Sequence, residues 1–276
     1  MNDNIKQNIY AHNKIAHIYN QKHNEIYNEV EQIRLKNTIN NLVKLNKGEK
    51  TLRVLDFGAG TGNITLKFLK YNCNVTALDI SQKELKILEK KVKDKKKLSI
   101  KFFNGENIPF ANDTFDIVAS YSVLHHIPEY LNAIKEMIRV TKKDGFIYID
   151  HEANENKWNP SISLKNYYSL TRLTPIELLK KKIKTREVFS INLWRGIFIK
   201  LFINKRYKTE GDIHVWKDDH IEWKDIKKIV DNLNCKIIEE KNYLLYRTKG
   251  GIETFKMYNK KCSDMKYIFI QKSKSC

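Results

Sequence analysis

Cysteine is scarce and unpatterned: the 276 residues hold four, Cys73, Cys235, Cys262 and Cys276, and none forms a C-x-x-C pair. Such scattering supplies neither a zinc ribbon nor a disulfide framework. Cys73 and Cys235 stand near expected strand starts, where a free thiol packs as a small apolar group. Long apolar runs are also missing. The most apolar late stretch, residues 191–203, is interrupted by Asn192, Arg195 and Lys200, which excludes a membrane-spanning helix there. The N-terminal region is polar, rich in Asn, Lys and His, and carries no secretory hydrophobic segment. These absences point to a cytoplasmic protein without a membrane span. Acidic charge is in short supply, 32 Asp and Glu against 51 Lys and Arg, for a formal net charge of +19. A surplus of that size is compatible with a nucleic-acid partner, because lysines neutralise phosphates and release counterions. The lysines are spread along the chain, however, and the densest run, residues 90–97, reads as a solvated helix face.

What is present is concentrated in Val54-Leu55-Asp56-Phe57-Gly58-Ala59-Gly60-Thr61-Gly62-Asn63. A short apolar strand ends in an acid and is followed by glycines at every second position. The glycines let the backbone turn sharply and approach a ligand closely, and a helix over 63–71 would aim its free N–H groups at a bound nucleoside. A dinucleotide loop has the form G-x-G-x-x-G; here the third glycine comes one residue sooner and Asp56 precedes the first. A carboxylate in that place repels a pyrophosphate but suits a cationic ligand. A second strand, Val75-Thr76-Ala77-Leu78-Asp79-Ile80, ends in an acid about 20 residues further on, where a ribose-binding carboxylate is expected. Ser81 with Glu84 then forms a capping box for a helix reaching about Lys95, with Leu85, Leu88 and Val92 turned to the sheet.

The glycine run resembles motif I of the class I S-adenosylmethionine-dependent methyltransferases, D/E-x-G-x-G-x-G. Phe102-Phe103-Asn104-Gly105-Glu106-Asn107-Ile108-Pro109-Phe110 resembles the family stretch that borders the adenine, with Asn104 where the family often has Asp. Phe115 to Ile127 resembles the following strand and its Leu-His-His turn. The likeness covers about residues 50–150 and is nearest to the small-molecule group that includes the quinone methylases. It implies S-adenosylmethionine as cofactor, held by Asp56, Gly58, Gly60, Gly62, Asp79, Ile80, Asn104, Gly105, Glu106 and Ser120. Tyr19, in an N-terminal segment that often closes over the cofactor in this family, would touch its methionine end or simply pack on the first helix.

The fold class expected is α/β, a Rossmann-like doubly wound seven-stranded sheet, mostly parallel, with an inserted, partly helical lid. That the last strand is antiparallel is what the resemblance implies. The organisation reads as an N-terminal helical cover over 1–48, a cofactor-binding core over 49–151, a lid over 152–222 and a completion of the sheet over 223–276. Within these, a helix is expected over 25–45, a short amphipathic cover around Tyr10, Ile15 and Ile18, and a helix from Pro128 to about Thr141. An Asp144-Gly145 turn leads into strand 146–150; a helix over 223–233 and strands over 236–246 and 266–271 follow. The lid is too long for an ordinary connection. Thr174-Pro175-Ile176-Glu177 reads as a helix start in it, and its apolar faces at Phe189, Leu193, Ile197 and Leu201 suit either a substrate or the second subunit of a homodimer. Residues 212–223 gather acids, histidines and indoles; a strand over 212–216 would place Asp212, His214 and Trp216 on one face, and no spacing there defines a metal site.

The resemblance implies a methyl group moved by in-line displacement to a small or medium-sized acceptor, oxygen first among the choices. A sulfonium already activates its methyl group, so alignment and exclusion of water matter more than dedicated catalysts. If the acceptor is a hydroxyl, His151, just after the fifth strand, is the preferred base, with His214 second and His125 and His126 also available. Two other readings stay open, an RNA methyltransferase and a non-catalytic partner subunit that keeps the cofactor fold. Base methylation of DNA is disfavoured: the Asp/Asn-Pro-Pro-Tyr/Phe motif is replaced by Ser120-Tyr121-Ser122-Val123, and no Pro-Cys occurs.

Overall fold

The computed structural model describes residues 3–18, 22–46, 51–105, 107–184, 188, 191–207 and 212–273. Tyr19, Glu106, Phe189 and Cys276 lie outside them. Nine strands are named in chain order: β1 (Arg53–Phe57), β2 (Asn74–Asp79), β3 (Leu98–Phe102), β4 (Phe115–Tyr121), β5 (Thr141–Ala153), β6 (Val215–Trp216), β7 (Asp219–His220), β8 (Cys235–Tyr243) and β9 (Met265–Lys272). Seven of them form one sheet in the order β3-β2-β1-β4-β5-β9-β8. β1 to β5 run parallel, and β9 is antiparallel to both of its neighbours. The doubly wound sheet and its reversed last strand are as expected. The order reverses beside β1, so β1 and β4 diverge at their carboxyl ends and open the crevice in which such sheets place ligands.

The helices follow from apolar spacing. α1 (Asp3–Ile15) leads to α2 (Asn24–Tyr27) and α3 (Glu29–Leu45); α4 (Thr65–Lys70), α5 (Gln82–Lys91) and α6 (Tyr130–Val140) lie between core strands. Leu35, Ile39 and Leu42 of α3 and Phe68 of α4 bury against one face of the sheet. Leu85 and Leu88 of α5, with Val92 after it, pack on Ala77. Ile134, Met137 and Ile138 of α6 cover the other face with Trp223, Ile226 and Val230 of α10 (Trp223–Asn232). The inserted segment holds α7 (Ile162–Thr171), α8 (Pro175–Lys184) and α9 (Ile191–Phe202), and α11 (Gly251–Tyr258) packs on α7. Among the described residues no helix is long and apolar enough to cross a membrane.

Several boundaries differ from the sequence expectation. The helix expected over 25–45 is two helices, broken at Asn28, whose side chain accepts from Glu31 N (2.9 Å) and donates to the Asn24 and Glu25 carbonyls. One asparagine thus ends α2 and caps α3. α5 stops at Lys91 rather than near Lys95, because Val92 is already extended. Tyr10 is 60% exposed, and the covering face of α1 carries Asn8 and Ala11 instead. No strand spans 212–216: only Val215 and Trp216 pair, with His220 and Asp219. Cys73 and Cys235 are buried at strand starts as expected.

β5 runs longer than the expected 146–150 and is irregular twice. Residues 142–145 loop out between the pairs Phe115–Thr141 and Ile117–Phe146, around Asp144 at φ +62°. Near its other end, Ile149 faces Ile268 but Glu152 faces Lys266, so Asp150 and His151 share one partner. Such a bulge re-aims a side chain, and His151 sits in it at φ +62°.

Candidate functional site

A cavity of about 900 Å³, its open mouth included, lies at the carboxyl ends of β1, β2 and β4. Its floor is Gly58, Ala59, Gly60 and Thr61; its walls include Asp79, Ile80, Phe103 and Gly105, and α1 contributes Ile5, Asn8 and His12 from above. Gly58 is left-handed at φ +77°, and a Cβ there would enter the Val123 side chain. Both facts demand glycine. Gly58→Ala is therefore expected to cost about 1–3 kcal/mol of stability; thermal unfolding at an unchanged Tm would contradict the close approach.

Asp79 is the polar centre of this cavity. It is 7% exposed, and its carboxylate accepts from Gly60 N and Ser81 N, both at 2.7 Å. Burial first, then the neighbouring Glu84 carboxylate, raise its pKa to about 6 despite those two bonds. Ser81 caps α5 through Glu84 N as expected. Glu84, read from sequence only as part of that cap, also lines the cavity and pairs with His12 Nδ1 at 3.1 Å.

Of the other expected contacts, Gly58, Gly60, Ile80 and Gly105 line the cavity, whereas Asp56, Gly62, Asn104 and Ser120 do not. Asp56 is 1% exposed and turned beneath the loop toward the Thr65 hydroxyl; burial, with Asp79 adding repulsion, raises its pKa to about 7. The acid that precedes the glycines thus tethers the loop to α4. Gly62 is packed against Leu88, Asn104 is exposed, and Ser120 is fully buried in the sheet. Tyr121, Ser122 and Val123 line the cavity where Ser120 was expected. Tyr19 and Glu106 lie outside the described residues. Among the described residues a tyrosine that reaches the loop is Tyr27, its hydroxyl 3.2 Å from Thr61 Oγ1. No sequence signal marked Tyr27, because its approach depends on the break at Asn28.

Two further cavities adjoin the first. One, of about 580 Å³, is lined by His12, His23, His125, His126, His151 and Asp212 among others. The next, of about 700 Å³, includes His125, His151, Glu152, Lys157, His214 and Arg247. Ser122 belongs to the walls of all three. Together they take six of the chain's eight histidines.

His151 and His214 differ in what they have left to offer. His151 Nδ1 lies 3.0 Å from the Tyr121 hydroxyl and 3.3 Å from that of Tyr243. Behind it, Tyr121 donates to Glu31 (3.0 Å), and Arg34 bonds both Glu31 and Asp150, the latter at 2.9 Å. Tyr243 and the His151 N–H donate to Asp150 as well. Burial raises the Glu31 carboxyl, but bonds and charge from His151 and Arg34 outweigh it and hold its pKa at about 2. His214 has both ring nitrogens engaged, Nδ1 with Asp219 (3.0 Å) and Nε2 with the Ile127 carbonyl (3.0 Å). The ring thus clamps residues 212–214 to the turn after β4.

Residues 55–149 match the family model described as a methyltransferase domain. Uncharacterized methyltransferase YcgJ of Bacillus subtilis is 34% identical over 107 residues, covering 38% of this chain and 42% of that protein. A demethylmenaquinone methyltransferase of Alkalihalophilus pseudofirmus is 38% identical over 96 residues, 33% of this chain and 41% of its own. The chain thus spans about two fifths of the length of these relatives. The YcgJ crystal structure superposes with a TM-score of 0.51 at 18% identity, covering 86% of this chain and 97% of that one. A methyltransferase of Methanosarcina mazei superposes at 0.52 and 18% identity, with 84% and 97% covered. At such identities the structural likeness speaks for the fold.

Proposed function

We propose that this chain, in which residues 55–149 are a class I S-adenosylmethionine-dependent methyltransferase domain, moves a methyl group to an oxygen of a small or medium-sized acceptor held in the histidine-lined chambers. The carrying observation is Ser122, a wall residue common to the cavity over the glycine loop and to both polar chambers, which places the three side by side.

The cofactor fits the residues present. A Cβ on Gly60 would come within 3.0 Å of the Glu84 carboxylate, space that the bare backbone leaves to a ligand. Asn8 Oδ1 is buried without a hydrogen-bond partner in the α1 wall of the same cavity. When bound, S-adenosylmethionine supplies a methyl group already activated by its sulfonium. Asp79 accepts from the ribose hydroxyls, and Ile80 and Phe103 offer apolar walls to the base. α1 shuts out water.

On the acceptor side, His151 is the proposed general base. The two tyrosine hydroxyls fix its ring, and it faces both polar chambers. Residues 152–222 serve as the lid over the acceptor, with His214 as a positioning residue. Calorimetry with S-adenosylmethionine tests the shared premise, and no binding at millimolar cofactor would remove it. Acceptor class is tested by turnover with labelled cofactor over phenols, quinols, sugars, amines and RNA; transfer to RNA alone would overturn the small-acceptor reading. In the same assay His151→Ala is expected to lower kcat by about 10²–10⁴-fold for a hydroxyl acceptor, and unchanged turnover would exclude it as base.

A further inference from the structure

The turn after β4 and the segment before β6 meet in an arrangement that the methyl-transfer reading leaves unused. One ring nitrogen of His125, one of His126 and a carboxylate oxygen of Asp212 all lie within 4.8 Å of one another. His126 Nδ1 and Asp212 Oδ1 are 3.1 Å apart, yet that nitrogen makes no aligned hydrogen bond. Two donor atoms at that distance match neighbouring ligands of a single ion, which tetrahedral coordination at about 2.0–2.1 Å sets about 3.3 Å apart.

The surroundings hold these donors in place. His125 Nδ1 pairs with Glu152 Oε2 at 2.8 Å, and Glu152 Oε1 accepts from Val123 N (2.9 Å) and Leu124 N (2.8 Å). A carboxylate on one imidazole nitrogen leaves the other as ligand and raises its basicity. Asp212 is fixed by its neighbours, since Ile213 N and His214 N both donate to the His125 carbonyl at 3.2 Å. All three residues line the chamber of about 580 Å³, as Ser122 does.

We propose that His125, His126 and Asp212 bind one divalent transition-metal ion of the zinc, iron(II) or cobalt(II) class, with its remaining positions open to the acceptor oxygen. Two imidazoles and a carboxylate suit that class, and three protein ligands with open positions mark a reactive rather than a structural site. The assignment rests on the methyl-transfer reading and deepens it by naming an acceptor with a metal-binding hydroxyl. Coordination acidifies that hydroxyl, and its proton passes to His151 or water. An oxygen lone pair then forms the bond to the methyl carbon as the carbon–sulfur bond breaks; the electron pair of that bond stays on sulfur, which becomes a neutral thioether.

The test uses full-length protein stripped with chelator and titrated with cobalt(II), read by its visible ligand-field absorption, and with zinc, read by calorimetry. One ion per chain is expected, lost in Asp212→Ala and His126→Ala. Glu152→Gln, which keeps every ligand, is expected to weaken binding about 10–100-fold, and His220→Ala to leave it unchanged. No stoichiometric binding, or equal affinity in Asp212→Ala, overturns the proposal. Cofactor calorimetry on the same samples separates the two readings: cofactor binding without metal binding sinks only the metal site, and the reverse sinks only methyl transfer.

A second observation stands apart from this site. α8 and α9 leave Ile176, Leu179, Trp194, Phe198, Leu201 and Phe202 exposed, Phe202 at 73%. Large exposed apolar side chains concentrated on two helices mark an interaction surface. The accompanying charge is basic: α8 sets four lysines against Glu177 alone, and residues 191–207 hold Arg195, Lys200, Lys205 and Arg206 with no acid. We infer that these helices lie in the interface of an anionic lipid bilayer, apolar side chains in the acyl boundary and cations at the headgroups. Full-length protein should sediment with phosphatidylglycerol-containing vesicles, less at high salt and much less with pure phosphatidylcholine. Trp194→Ser with Phe198→Ser should lower binding at least tenfold. Absence of vesicle binding, or a dimer that this double variant dissolves, overturns the inference.

Discussion

Asp79→Ala is expected to weaken S-adenosylmethionine binding about 100-fold, or about 3 kcal/mol, by calorimetry at pH 7.5. The carboxylate is the only acid at the end of β2, and it stands on the cavity wall with Gly60 N–H already fixed beneath it. Wild-type affinity in the variant would refute the ribose assignment. Because burial and Glu84 raise this carboxyl to about 6, it loses an acceptor oxygen as the pH falls below that value. Affinity of the wild type should drop about tenfold per unit well below pH 6, whereas Asp79→Asn should show no such slope. Stability of the empty protein runs the other way. A folded-state pKa raised above the unfolded value gives stability that is full below about pH 4 and lost as pH rises through about 6.

Arg34→Leu should be the most destabilising single change, by about 3–5 kcal/mol in urea denaturation at pH 7. It strands Glu31 and Asp150, 2% and 0% exposed, without their shared cation. Arg34 also stacks on the Tyr243 ring at 3.9 Å, so packing is lost with the charge. In the wild type, Glu31 is held down at about 2, so its contribution is present above about pH 4.5 and lost as pH falls toward 2. Removing Arg34 lets burial push Glu31 upward, so the deficit should shrink in acid. A deficit below about 1 kcal/mol, or one unchanged between pH 7 and 4, would contradict this account.

The parts of the molecule that were legible beforehand are those encoded over short spans. Glycine spacing, the acid at the end of β2 and the Ser81–Glu84 cap each need only neighbouring residues, and they located the cavity floor. Periodicity placed the core helices for the same reason. The misread parts depend on distant partners. Asp56 looked like a ligand for a cation because it precedes the glycines, but side chains alternate along a strand, and it turns to Thr65 of α4. Ser120 fell on the buried side of that alternation, and Ser122, at φ +61°, took the cavity wall. The bulge that aims His151 is a matter of register against β9, to which no local pattern points. His125 and His126 were visible as a pair; that Asp212 would join them needed the docking of residues 212–214 on the His125 carbonyl.

Helix α1 has a kinetic consequence. Asn8 donates to the His126 carbonyl at 2.9 Å, Ser81 Oγ donates to Asn13 at 2.9 Å, and Ile5 sits over Gly105. On the methyl-transfer reading a nucleoside in the cavity would lie beneath this latched helix, and exchange on that side would require breaking those few bonds. The residence time of the spent cofactor would then depend on α1 as well as on the glycine loop, and solvent viscosity or a cut in that helix would tune it.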